Sequence, residues 1–202
     1  MSDAALKYRE QHKQRLNYMP WLYWRLKPAQ RKWADTWQQQ WQDYLKAMET
    51  VHIEGQCFIS PEAKLFAEPG RAIRIAEGSF IAANCVLHGP IEIGKNVGIN
   101  HHAHLDGGKK GIHIGDNCRI AAHSSIIAFN HRYDMDMPIS EQGIYSEGIN
   151  LGQDVWLGAH TGITDGVTLG DGCVVGMRSV VTQSFEAKKV IAGNPARIIK
   201  DR

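Results

Sequence analysis

Only four cysteines occur in 202 residues, and no two of them have the CxxC spacing of a redox or metal pair. A chain of this length can bury a core without disulfide staples, so neither a disulfide framework nor a zinc knuckle is indicated. No stretch supplies the eighteen or so apolar residues that a membrane span requires. The opening MSDAALKYREQHKQRLNY is polar throughout and lacks the apolar centre of a signal peptide, which points to the cytoplasm. An excess of one charge is missing too: 23 Lys and Arg face 21 Asp and Glu, so the net charge is +2. Binding a nucleic-acid backbone calls for a basic patch or stripe, and no nucleic-acid role is expected. With 43% hydrophobic and 22% charged residues, the composition is that of a folded globular chain.

What the sequence does contain is a count of six. Ile53, Ile59 and Leu65 are spaced six apart; so are Ile75, Ile81, Leu87, Ile93, Ile99 and Leu105. The count resumes at Ile114, Ile120 and Ile126, and again at Leu151, Leu157, Ile163, Leu169, Val175 and Val181. The position four after each aliphatic residue is small or β-branched, as at Ala63, Ser79, Val97, Ser124, Thr161 and Ser179. That position lies two residues before the next aliphatic one, so on a strand both side chains point inward. Cys57, Cys85, Cys118 and Cys173 all occupy it and read as buried small residues rather than ligands. A six-residue period of this kind is the signature of a parallel β-helix, whose triangular coils each take about eighteen residues.

The count breaks three times. LFAEPGRAIR and LDGGKKGIH are rich in Gly or Pro and read as loops at coil corners. The longest break, between Ile126 and Leu151, contains FNHRYDMDMPISEQGIYSEG and reads as an arm extruded from the coil.

Residues 1–50 do not share the period. Trp33, Trp37, Trp41 and Leu45, with Met48 close by, recur at helical spacing, and Pro28 suits a helix start. This predicts a helical extension over 1–50, a coil over 51–185 with its arm at 130–149, and a tail over 186–202. Two readings of the extension stand. It caps the open first coil, whose strand edges and apolar interior need cover; or YMPWLYWRLK, mixing aromatic and basic residues, touches the inner membrane surface peripherally.

LGQDVWLGAHTGITDGVTLGDGCVVGMRSVV followed by IAGNPARIIK resembles the hexapeptide-repeat acyltransferases. It is similar to the C-terminal half of the galactoside, maltose and surface-polysaccharide O-acetyltransferases and the xenobiotic acetyltransferases. The resemblance covers about residues 53–200 and implies a mainly β fold, a left-handed parallel β-helix assembled as a homotrimer. It implies acetyl-CoA as acyl donor and a saccharide as acceptor, with no metal required. Counting from Ile114 in IGDNCRIAAHSSIIAFNH, the family's general base falls on His131. A sugar hydroxyl is a poor nucleophile, and an imidazole that takes its proton accelerates attack by about 10²–10⁴-fold. The resemblance implies acceptor contacts at Asn100 and Asp106, an oxyanion donor at the Ala159 N–H, and CoA contacts at Trp156, Ala159, Met177, Thr182 and Arg197. At GMRS the chain departs from the family's usual GAGS, placing bulky Met177 and charged Arg178 at that groove.

Three alternatives to O-acetylation remain open: N-acetylation of an amino sugar or xenobiotic, a carbonic anhydrase on the same coil, and a trimeric scaffold without catalysis. His102, His123 and His160 each lie three residues after their aliphatic residue and are predicted to stack on one edge, provided the arm is inserted without loss of phase. The pair of zinc ligands five residues apart that γ-type carbonic anhydrases carry is missing, since no two histidines between residues 88 and 131 have that spacing, which favours a polar edge at a subunit contact.

Overall fold

The computed structural model describes residues 3–202, with side chains from residue 6 onward. The chain opens with α1 (Asp3–Tyr18), a 3-10 turn (Pro20–Arg25) and α2 (Pro28–Lys46). From Val51 it winds into short strands that form three parallel ladders, here called faces A, B and C.

Each turn of the chain visits A, then B, then C, so the aliphatic residues of the six-count stack directly. On face A, Ile53 pairs in register with Ile75, Ile75 with Ile93, and Ile93 with Ile114. The arm does not disturb this phase: Ile114 pairs with Leu151, Ile120 with Leu157, and Ile126 with Ile163. These residues merge into one continuous apolar core along the axis of the coil.

The position four after each aliphatic residue does more than stay small. Cys57 Sγ donates to Ala76 O at 3.2 Å, Cys85 Sγ to Asn100 O at 3.1 Å, Cys118 Sγ to Gly152 O at 3.0 Å and Cys173 Sγ to Glu186 O at 3.0 Å. Ser79 Oγ likewise reaches Gly94 O at 2.7 Å, and Ser124 Oγ reaches Gly158 O at 3.2 Å. Each thiol or hydroxyl satisfies a corner carbonyl of the following coil that the ladder leaves free, which buried backbone requires. Burial raises the thiols of Cys57 and Cys118 to about 11 and that of Cys85 to about 12, so they remain protonated donors.

α2 closes the first coil. Gln38 pairs with both backbone groups of Ile59, accepting from its N–H at 2.9 Å and donating to its carbonyl at 3.1 Å. Gln42 donates to Cys57 O at 2.8 Å. Leu45 enters the main core, with Trp41 and Met48 packed against it. Trp33 and Trp37 instead pack on a second cluster of Leu16, Tyr23, Ala34, Phe58 and Phe80 on the outside of face B. The tryptophan stripe therefore splits between two cores. In YMPWLYWRLK, Pro20 and Tyr23 are buried, while Trp21 and Trp24 are exposed and lie near the Phe80 ring. At the other end, Lys189–Gly193 adds to face B and turns back antiparallel into Ala196–Asp201.

Candidate active site

The arm leaves from the corner between faces C and A, after strand Ser125–Ile127. Its root is pinned by backbone and hydroxyl contacts. Ala128 N donates to Asp106 O at 2.8 Å, and Ser146 Oγ donates to Ala128 O at 2.6 Å while accepting from the N–H groups of Lys109 and Lys110. Asn130–His131 then pairs antiparallel with Ile144–Tyr145, and a single turn, α3 (Ile139–Gln142), forms the outer end. Gln142 ties that end together, accepting from Met135 N and donating to Met135 O and Met137 O. Tyr133, Met135, Met137 and Ile139 are exposed along the arm.

His131 therefore sits on a hydrogen-bonded ribbon rather than a free loop. Its ring is exposed and stands 6.1 Å from that of Phe129. Beneath the arm root lies a group that reading by local motif missed. His88 is stacked one coil below Asp106, with Nδ1 3.2 Å from Asp106 Oδ2 and Nε2 2.9 Å from Glu68 Oε2. Arg71 pairs with the same Glu68 at 3.2 Å and donates to Gly108 O, while Phe66 stacks on the His88 ring at 4.9 Å. Asp106 also accepts from Gly108 N at 3.0 Å, so its carboxylate is held from two sides. The spacing of 18 residues between His88 and Asp106, one coil, is the signal that could have found the pair.

The other predicted residues are spread around the triangle. Asn100 lies at the corner between B and C, where its Nδ2 donates to Ile120 O at 3.1 Å. Ala159 and Met177 stack at that same corner, and Arg178 N donates to Ala159 O at 2.9 Å. The Ala159 N–H donates to no backbone carbonyl among the described residues. Gly158 beside it has no room for a side chain: a Cβ would come within 2.6 Å of Met177 N. Trp156 and Met177 are 54% and 64% exposed, so their apolar surfaces are open to a ligand. Thr182 follows face C, and Arg197 lies on the returning C-terminal strand with Nη1 on Ala196 O. Within one chain, His131 and Asp106 share the corner between C and A, whereas Asn100, Ala159 and Met177 share the corner between B and C.

That second corner also carries the histidine column. The His102, His123 and His160 rings are parallel to within 3° and stacked at 4.8 and 4.7 Å, each on a backbone with φ near +60°. His and Asn are among the residues that tolerate this left-handed conformation, which fits their recurrence at the corners. Among the described residues, no three His, Cys, Asp or Glu side chains converge as metal ligands would.

Comparison with known proteins fits this geometry. Residues 148–183 match the family described as bacterial transferase hexapeptide (six repeats), and residues 105–127 match the hexapeptide repeat of succinyl-transferase. Galactoside O-acetyltransferase of Escherichia coli is 36% identical over 88 residues, covering 44% of this chain and 43% of that protein. Chloramphenicol acetyltransferase of Klebsiella aerogenes is 35% identical over 106 residues, covering 44% of this chain and 50% of that protein. The chain thus spans about half the length of these curated relatives. Among solved structures, AntD, an N-acyltransferase from Bacillus cereus in complex with dTDP and coenzyme A, superposes with a TM-score of 0.72 at 28% identity, covering 80% of this chain and 89% of that one. The repeat fits a left-handed β-helix, and in its coil, its arm and these likenesses the chain is similar to the hexapeptide-repeat acyltransferases.

Proposed function

We propose that the protein transfers an acetyl group from acetyl-CoA to a carbohydrate hydroxyl, with His131 as general base. The observation that carries this reading is the arm itself. It interrupts the six-count without shifting coil register, and it presents His131 on a paired ribbon above a polar corner. In the proposed step, His131 takes the hydroxyl proton as the oxygen attacks the thioester carbonyl carbon. The carbon–sulfur bond then breaks, and the proton passes to the leaving thiolate. The free N–H of Ala159 suits the developing oxyanion.

His131 and Ala159 lie at different corners of one chain, so this reading requires a second copy: the arm of one subunit faces the B–C corner of its neighbour in a homotrimer. The exposed Tyr133, Met135, Met137 and Ile139 of the arm support it, since apolar side chains grouped at an extruded end suit burial against a neighbour. Exposed Trp156 and Met177 would then line the pantetheine side of the groove, with Arg197 available to phosphate.

A second reading, N-acyl transfer to an amino sugar, is favoured by the likeness to AntD and by the paired carboxylates Glu68 and Asp106 below the arm, which suit a protonated amine. Thiol release from acetyl-CoA over a panel of saccharides and their amino analogues separates the two. Turnover with amino analogues alone would replace the first reading with the second, and no acceptor-dependent release from any donor would remove both.

A further inference from the structure

A cavity of about 500 Å³ lies between α1 and α2, and neither arm residues nor Ala159 line it. It is built from residues at helical i, i+4 spacing: Arg9 and Lys13 from α1 face Trp33 with Trp37 and Lys32 with Thr36 from α2. The Arg9 guanidinium sits 5.7 Å above the Trp33 ring and the Lys13 ammonium 5.6 Å above the Trp37 ring. Each cation is thereby held over an indole face instead of extending into water.

This arrangement is not needed to cap the coil, because α2 does that through Gln38, Gln42 and Leu45. Charge is also segregated along the chain. Residues 1–46 carry nine Lys and Arg against four Asp and Glu, a net of +5, while the remainder carries fourteen against seventeen, a net of −3. The only ion pair of the three cavity cations among the described residues is Lys13 with the partly exposed Glu10, a pair worth little in water.

We propose that this cavity is a binding site for a soluble phosphorylated ring compound of the nucleoside diphosphate type. Three cations drawn from two helices match the multiple charge of a diphosphate better than the single charge of a carboxylate. The indole floor supplies apolar surface for the attached ring. The recessed position of that floor decides against a bilayer as the occupant. Trp33 and Trp37 are half-buried, whereas side chains that enter a membrane interface must project from the surface. The volume lies within the range of small-molecule sites.

Calorimetric titration with uridine diphosphate, uridine and inorganic pyrophosphate tests this, on the wild type and on Arg9→Gln and Lys32→Gln, with the fold of each variant checked by circular dichroism. Uridine diphosphate is expected to bind, pyrophosphate to bind more weakly and uridine to give no heat. Each substitution is expected to weaken uridine diphosphate about tenfold, the loss of one charge-assisted contact. All titrations are repeated under saturating CoA, which carries a diphosphate of its own. Loss of the signal under CoA with both variants unaffected would place the nucleotide in the acyl-donor groove and overturn the proposal. So would binding that ignores both substitutions, or no binding at all. Capture of the wild type by phosphatidylglycerol vesicles, lost in both variants and without nucleotide binding, would assign the cavity to a membrane surface instead.

Discussion

His88 and Asp106 occupy matching positions on successive coils, and the side chains meet at 3.2 Å directly beneath the root of the arm. Burial by itself would lower the His88 pKa. The hydrogen bonds and charges of Asp106 and Glu68 outweigh it, and the net shift is upward from the ordinary histidine value. A raised folded-state value means that the clamp stabilises fully below the unfolded value of about 6.5 and weakens as pH rises through the folded one. His88→Gln is therefore expected to lower the urea midpoint most at pH 6 and progressively less toward pH 9. A deficit that grows with pH would contradict the clamp.

Replacing His131 by alanine leaves the coil intact, since the ring is exposed and its strand pairs through backbone groups. Acceptor-dependent thiol release is expected to fall by about 10²–10⁴-fold with little change in melting temperature. Equal rates in the two proteins would take His131 out of the mechanism.

The His123 ring stands between those of His102 and His160. Desolvation, followed by the charges of His102 and His160, lowers the pKa of His123. With the folded value depressed below the unfolded one, stability is complete above about pH 6.5 and is lost as pH falls through the folded value. Nuclear magnetic resonance titration should show the His123 value moving upward when His102 and His160 are both changed to Asn. An unchanged value would mean that the stacked rings are electrostatically independent. The left-handed backbone adds a steric contrast: His123→Asn should be tolerated, while His123→Val should cost about 1–2 kcal/mol.

Gln38 satisfies both backbone groups of Ile59 at the uncovered edge of the first coil. Gln38→Ala would leave a buried donor and a buried acceptor unpaired, at about 1–3 kcal/mol each. A drop of about 2–6 kcal/mol in the free energy of unfolding, from urea denaturation, is the expected result. A change below the measurement error would show that water or a neighbouring side chain replaces the amide.

Much of the architecture was legible before any coordinates, because a coil of this kind is nearly one-dimensional. Each aliphatic residue contacts its counterpart one turn away, so Ile114, Leu151 and their neighbours could be aligned by counting. The same counting placed His102, His123 and His160 on one edge, an alignment that depends on the arm being inserted in phase. The tryptophan stripe was read correctly as helical, but its division between two cores was not, since periodicity gives a face and not the surface that face meets. The hydrogen-bonding use of the cysteines was hidden for a similar reason. Their small size is visible in the repeat, whereas the carbonyl that each one meets belongs to the next coil.

The sequence by itself determined the coil, the position of the arm, the histidine at its base and the helical start, because each follows from residue type and spacing along one chain. Tertiary structure alone decided that Glu68 reaches His88 from its loop and that α1 and α2 set cations over indoles. Loops of unequal length and the approach of two separate helices set those distances, and neither leaves a period to be counted.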